Sequence, residues 1–314
     1  MTAAAAATAR ALVLERPGRA RVQERPVASP GPGQVLVHVE GCGVCGSSLP
    51  VWEGREWFSY PLPPGAPGHE GWGVVAALGA GVEGPAPGTR VAFLSERAFA
   101  ETDVADAGAV VPLPPELDGL PFPGEAVGCA FNVLARSGVR RGDRIAVVGV
   151  GFLGALLVAL AAARGAHVTA LSRRPFALRL AERLGAERAL TLDEAPEQGF
   201  ERVLEAAGVQ ATLDVASRLT RERGRLVIAG YHQDGLRTVD MRLWNWRGMD
   251  VVNAHERDRA TAVEGMRAAV VAVALGELDL RPLVTHVYPL DRVEDAFDAA
   301  RTRPDGFLKA VVTP

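Results

Sequence analysis

Val147-Val148-Gly149-Val150-Gly151-Phe152-Leu153-Gly154 is the stretch that decides how this chain is read. The run Arg144 to Val148, rich in β-branched residues, leads directly into Gly-x-Gly-x-x-Gly, and a leucine- and alanine-rich stretch continues to Ala163. Strand, glycine turn and helix in that order are the context that a dinucleotide-binding turn requires. In such a turn Gly149 permits the tight reversal, Gly151 lets a pyrophosphate approach the backbone, and Gly154 allows the helix to pack closely on the strand. Phe152 and Leu153 open the helix, whose unpaired N–H groups and positive dipole end favour the same anion. Ile145 to Ala163 is also nineteen residues without a charge, between Arg144 and Arg164, which approaches the ~20 residues of a membrane span. Its β-branched start, three glycines and Ala/Leu-rich remainder are better explained by a buried strand turning into a buried helix.

Working outward, His167 to Leu171, Arg202 to Glu205, Arg225 to Ala229 and Asp250 to Asn253 read as further strands, most of them separated by Ala-rich helical stretches. That alternation predicts an α/β domain with a doubly wound parallel sheet over residues 121–283. Before it, Ala11 to Leu14, Gln34 to Val39, Gly73 to Leu78, Arg90 to Phe93 and Ala109 to Val111 are short β-rich runs broken by Gly and Pro. They predict a compact, mostly antiparallel, barrel-like domain. After it, Val284 to Tyr288 and Leu308 to Thr313 are strand-like around a helix at Val293 to Ala300. This tail is expected to rejoin the first domain, making that domain discontinuous over 1–120 and 284–314.

The 314 residues leave room for two cores, and 48% hydrophobic with 23% charged residues is the profile of a folded globular chain. A formal charge of −3 supplies no basic field for nucleic acid or a membrane surface, so a small-molecule ligand is expected. The three cysteines, Cys42, Cys45 and Cys129, argue against a disulfide framework and for a reducing, cytoplasmic compartment. The N-terminal alanine run within Met1 to Leu14 lacks the basic start and leucine-rich core of a signal peptide.

Cys45, His69, Glu70 and Glu125 are spread over eighty residues, so spacing alone does not make a metal site. Their context is more telling: Gly41-Cys42-Gly43-Val44-Cys45-Gly46 and Gly68-His69-Glu70 are glycine-flanked loops whose side chains can converge on a cleft. Thiolate, imidazole and carboxylate suit Zn²⁺, and three protein ligands leave a fourth position open for substrate. At these residues the chain resembles the zinc-containing branch of the medium-chain dehydrogenase/reductase family. The resemblance rests on Gly68-His69-Glu70-x2-Gly73-x5-Gly79-x2-Val82, on Gly43 to Ser47, on the glycine turn at 149–154, and on Pro289 to Phe297, and it covers nearly the whole chain.

The resemblance implies a GroES-like catalytic domain joined to a Rossmann cofactor domain, one catalytic zinc, and interconversion of an alcohol and its carbonyl compound by hydride transfer. Cys45 and His69 would be the first two ligands, and Glu70 a carboxylate able to approach the metal during ligand exchange. The third ligand is open between Glu125, in the polyol-dehydrogenase register, and Cys129, with Glu125 favoured; Cys42 would be a bystander. Ser47 would pass a proton. Two departures from the family pattern follow. Ser48 stands where an aspartate commonly orients the zinc-binding histidine, which implies weaker zinc binding, and Pro50 stands where a relay histidine can lie. No cysteine lies between 46 and 128, so the family's structural zinc is not expected.

Trp52, Trp57, Phe58 and Tyr60 are candidates for a substrate wall, and His232 and His255 follow predicted strands at the carboxyl edge, where ligands of such sheets bind. The second strand of the βαβ unit ends in Ser172-Arg173-Arg174, without the carboxylate that would bind ribose hydroxyls and repel a 2′-phosphate. NADP(H) is therefore expected over NAD(H). The glutamate-type ligand set points to polyols or other secondary alcohols. Relatives imply a homodimer or homotetramer. The competing readings are a zinc-free quinone or enoyl reductase on the same fold and an NADPH-binding protein that has lost turnover.

Overall fold

The structure is a computed structural model that describes residues 7–197 and 199–314. Residues 1–6, where most of the alanine run falls, lie outside the described residues, as does Gln198. The chain forms two compact units: one runs to Ala126 and resumes at Met266, and the other is Val127–Gly265.

In the first unit, β1 (Thr8–Arg16) and β2 (Arg19–Pro26) form an antiparallel hairpin. Strands β3 (Gln34–Gly43), β4 (Glu70–Leu78), β5 (Arg90–Phe93), β6 (Thr102–Asp106) and β7 (Val110–Pro112) make an antiparallel sheet, with α1 (Leu49–Glu53) between β3 and β4. Strand β2 escapes the sequence pattern because its residues are largely charged and Ala20 alone is buried in it; pairing with β1 is what makes it a strand. Helix α2 (Gly124–Ser137) then leads from this unit into the next.

The second unit is built from β8 (Arg144–Val148), α3 (Phe152–Ala163), β9 (His167–Leu171), α4 (Pro175–Arg183), β10 (Arg188–Leu190), β11 (Phe200–Glu205), α5 (Gln210–Leu219), β12 (Thr220–Ile228), α6 (Met241–Arg247) and β13 (Asp250–Asn253). All its strands are parallel, in the order β10-β9-β8-β11-β12-β13. The order reverses between β8 and β11, the switch point at which such sheets bind ligands. Ile145, Ala146, Val147, Val148, Val203 and Leu204 are completely buried, as strands covered on both faces must be. The uncharged stretch from Ile145 to Ala163 is thus β8 and the twelve-residue α3. Among the described residues no helix is long and apolar enough to cross a membrane.

Helix α7 (Arg259–Ala274) leads back to the first unit, where β14 (His286–Pro289), α8 (Val293–Thr302) and β15 (Ala310–Thr313) extend the sheet to the order β14-β15-β3-β4-β5-β7, with β6 beside β3. Its core gathers Leu12, Leu14, Val35, Val37, Phe93, Phe99 and Phe297. The units part inside α2 and α7, at 126/127 and 265/266, whereas the sequence reading placed the boundaries at 120/121 and 283/284. Both points lie inside helices, whose pattern runs on past the change of unit. Residues from Met266 to Leu283 accordingly cluster with the first unit.

The loops at the carboxyl edge of the parallel sheet are tied by one buried carboxylate. Glu205, at the end of β11, is fully buried. Its Oε1 accepts from the N–H groups of Ala207 and Gly208, each at 2.8 Å, and from Thr212 Oγ1 at 2.7 Å. Its Oε2 lies 2.9 Å from His232 Nε2. Arg237 Nε donates to His232 Nδ1 at 2.9 Å, so Nδ1 is the acceptor and Nε2–H donates to Glu205. Both ring nitrogens of His232 are therefore engaged within the fold. Burial favours the protonated form of Glu205, but the His232, Thr212 and backbone donors outweigh it and hold the carboxyl below its ordinary 4.5. Stability from this lowered value is present above pH 4.5 and lost as pH falls through the folded-state pKa. Glu205→Gln is expected to cost about 1.5–3 kcal/mol in urea unfolding near neutral pH, and the difference from wild type should shrink in acid; a pH-independent difference would contradict this origin.

Candidate functional site

Gly43 is the hub of the candidate metal site. It ends β3, pairs with Glu70 at the start of β4, and pairs with Val311 of β15. The first pairing sets the loop after β3 beside the loop before β4. Cys45 opens a 3₁₀ turn at Gly46–Ser48, with Ser48 N–H donating to Cys45 C=O at 3.1 Å. Gly68 lies so close to a neighbouring chain segment that a Cβ would stand 2.5 Å from Phe99 N, which explains the glycine before His69. As a result Cys45, His69 and Glu70 each offer a ligand atom, all within 4.8 Å of one another.

His69 Nδ1 is 3.0 Å from Pro67 C=O, an acceptor only, so Nδ1 carries the hydrogen and Nε2 is left toward Cys45 and Ser47. Ser47 Oγ is 3.4 Å from that Nε2. Ser48, which stands where an aspartate commonly orients the histidine, is buried and donates to the same Pro67 carbonyl at 3.5 Å. A backbone carbonyl thus orients the imidazole, and no side-chain signal could have revealed it. Burial lowers the affinity of His69 for a proton, but its hydrogen bond and charge interaction with Cys45 and the charges of Glu125 and Glu70 raise its pKa well above 6.5. Surroundings that favour a proton there favour a metal cation for the same electrostatic reason.

Sequence reasoning missed Lys309. Its Nζ donates to Glu70 Oε1 at 2.6 Å and lies 2.5 Å from Oε2, with the two side chains 5% and 0% exposed. No donor among the described residues is aligned with Oε2. A Cβ on Gly43 would fall 1.8 Å from Glu70 Oε2 and 3.0 Å from Lys309 Cε, so glycine is required for the pair to exist. Burial disfavours the ammonium, yet the charges of Glu70, Cys45 and Glu125 more than offset it and raise the Lys309 pKa. Glu125, in the first turn of α2, lies outside the three-residue cluster, although its charge acts on both His69 and Lys309. Cys129 is four residues further along α2 and also lies outside the cluster. Cys42 is fully buried in β3, where burial and then the Glu70 charge push its thiol pKa well above 9.0.

In the second unit, Gly149 has φ +100° and Gly154 approaches it so closely that a Cβ would meet Gly149 O at 1.9 Å. A Cβ on Gly151 would meet nothing within 4 Å, so the backbone there is open to a close approach. Phe152 and Leu153 begin α3. Ser172 is buried, and its Oγ accepts from Arg174 N–H at 3.2 Å. Arg174 Nη2 donates to Val150 C=O at 3.0 Å, which ties the end of β9 to the glycine turn, while Arg173 is exposed.

The other expected contacts divide. Trp52, expected on a substrate wall, is 4% exposed and stacked on Phe297 in the core with centroids 4.9 Å apart. Tyr60 donates its hydroxyl to Val51 C=O and packs against the same core, as does Phe58. Trp57 is 56% exposed and tilted against Phe58. His255, two residues beyond β13, is exposed and stacks on Tyr231 at 5.2 Å.

The sequence matches two family profiles, an alcohol dehydrogenase GroES-like domain over residues 31–115 and a zinc-binding dehydrogenase domain over residues 153–268. It is 33% identical to an alcohol dehydrogenase of Rhizobium meliloti over 67% of this chain and 73% of that one. It is 28% identical to the sorbitol dehydrogenase of Gallus gallus over 93% of both chains. A solved Sinorhizobium meliloti protein described as a zinc-binding dehydrogenase, bound to NADP, superposes with a TM-score of 0.86 at 26% identity, covering 98% of this chain and 100% of that one. With its GroES-like sheet, its doubly wound cofactor sheet and the Cys45-His69-Glu70 cluster, the chain belongs to the zinc-containing, alcohol and polyol dehydrogenase-like branch of the medium-chain dehydrogenase/reductase family.

Proposed function

We propose that this oxidoreductase is a zinc-dependent, NADP(H)-linked enzyme that interconverts a secondary or polyol-type alcohol and its carbonyl compound. The observation that carries the reading is the convergence of a thiol, an imidazole and a carboxylate within 4.8 Å. The donor set of thiol, imidazole and carboxylate suits zinc. Cys45 and His69 would hold the metal, with Glu125 as third ligand and Glu70 able to approach it. Zinc bound there supplies Lewis acidity, polarising the substrate oxygen and lowering the pKa of an alcohol. The Pro67 carbonyl holds His69 in the tautomer that leaves Nε2 free, and Ser47 Oγ is placed to carry the alcohol proton away. The sorbitol dehydrogenase likeness supports a polyol or other secondary alcohol as substrate.

For the cofactor, the open backbone at Gly151 and the N-terminus of α3 suit a pyrophosphate. Ser172-Arg173-Arg174 at the end of β9 suits a 2′-phosphate, and the solved relative bound to NADP supports the same choice. A cytoplasmic homodimer or homotetramer completes the proposal. Strand β13 ends the cofactor sheet, and exposed Val251 on it and Trp246 in α6 offer apolar surface for a second copy.

Purified protein is expected to carry zinc at about one equivalent per chain. Cys45→Ser and His69→Ala should abolish alcohol oxidation while dinucleotide binding, followed by fluorescence, stays nearly intact; full activity after exhaustive chelation would exclude the zinc mechanism. Glu125→Ala should weaken zinc retention more than Cys129→Ala, and the reverse order would move the third ligand to Cys129. Wild-type enzyme should show a higher kcat/KM for NADPH than for NADH. Arg173→Ala should reduce that ratio by about one to two orders of magnitude, the worth of one charge-assisted contact, and Ser172→Asp should shift it toward NADH. A wild type that prefers NADH would refute the cofactor assignment.

A further inference from the structure

Lys309 is a buried cation set against the residues that would hold a metal. Its backbone is fixed on both sides: its carbonyl accepts from Thr285 N–H at 3.0 Å and His286 N–H at 3.1 Å, and β15 follows in register with β3. The side chain runs past Gly43, where a Cβ would displace both it and Glu70, to reach the Glu70 carboxylate. That carboxylate also offers an oxygen within 4.8 Å of the ligand atoms of Cys45 and His69. One buried anion therefore has two claimants, an ammonium that is part of the fold and a cation at the cluster.

Resting on the zinc reading above, we propose that Lys309 is a positioning residue that holds the Glu70 carboxylate out of the metal's coordination shell, which keeps one position open for substrate and the bound metal exchangeable. Two physical effects act in the same direction. The ammonium occupies the carboxylate that would otherwise close the site, and its charge repels a neighbouring dication through a poorly screening interior. Removing the ammonium alone leaves a buried carboxylate without its partner, an arrangement that a nearby metal relieves.

The test compares the zinc-loaded enzyme with Lys309→Met, Lys309→Arg, Glu70→Gln and the Glu70→Gln/Lys309→Met double variant. The first readout is the rate of zinc transfer to a colorimetric chelator. The second is imidazole binding to the cobalt-substituted proteins, read from their visible bands. Lys309→Met should release zinc more slowly, and bind imidazole more weakly, by about tenfold to a hundredfold, the scale on which groups surrounding metal ligands act. Lys309→Arg keeps the charge and should behave like wild type. Glu70→Gln leaves the ammonium without its carboxylate and should release zinc faster than the double variant, which removes both buried charges and tests the idea even where Lys309→Met does not fold. Equal or faster zinc release from folded Lys309→Met, or equal rates for Glu70→Gln and the double variant, would overturn the proposal while leaving the zinc reading in place. A wild type that binds no zinc would overturn both.

Discussion

The pairing of β3 with β4 and β15 at Gly43 is the constraint on which the candidate site depends. Gly43 faces Glu70 on one side and Val311 on the other, so three segments distant in sequence meet at one backbone position. The loop carrying Cys45 leaves just beyond it, His69 precedes β4, and Lys309 precedes β15. Because side chains alternate along a strand, a one-residue slip in either pairing would turn Glu70 or Lys309 away from the other. The missing side chain at Gly43 is equally necessary, since the carboxylate and the lysine stem occupy the space a Cβ would take.

A buried ion pair of this kind is weak evidence for stability. Desolvating a carboxylate and an ammonium costs several kcal/mol for each ion, roughly what their attraction returns. Its physical interest lies in charge distribution. Cys45, Glu70 and Glu125 act on His69 and Lys309, and both bases respond with raised pKa values despite burial. A second fully buried carboxylate, Glu205, works differently. It is saturated by backbone, hydroxyl and imidazole donors and ties the loops after β11 and β12, so the two acids share burial and differ in whether their donors are complete.

Much of this was legible in the chain. The runs at 144–148, 167–171 and 250–253 coincide with β8, β9 and β13; β8 and β9 read clearly because strands buried on both faces are predominantly apolar. Strand β2 was not legible, because its charged side chains show no alternation strong enough to read; only the hairpin pairing with β1 makes it a strand. The stacking of Trp52 on Phe297 and the bond of His232 to Glu205 left no local sign, because an aromatic or a histidine has the same neighbours in sequence whatever it packs against.

The sequence by itself determined the glycine turn, the strand–helix alternation around it, and the Cys45 and Gly68-His69-Glu70 loops, because each is a local pattern whose chemistry depends on near neighbours. The tertiary structure decided which groups surround those residues. It supplied the Pro67 carbonyl as the partner of His69, Lys309 as the partner of Glu70 across 239 positions, and Arg174 as a brace on Val150. Those contacts are set by strand register and chain crossing, which bring together residues with no periodic relation along the chain, and a backbone carbonyl leaves no mark in the order of side chains.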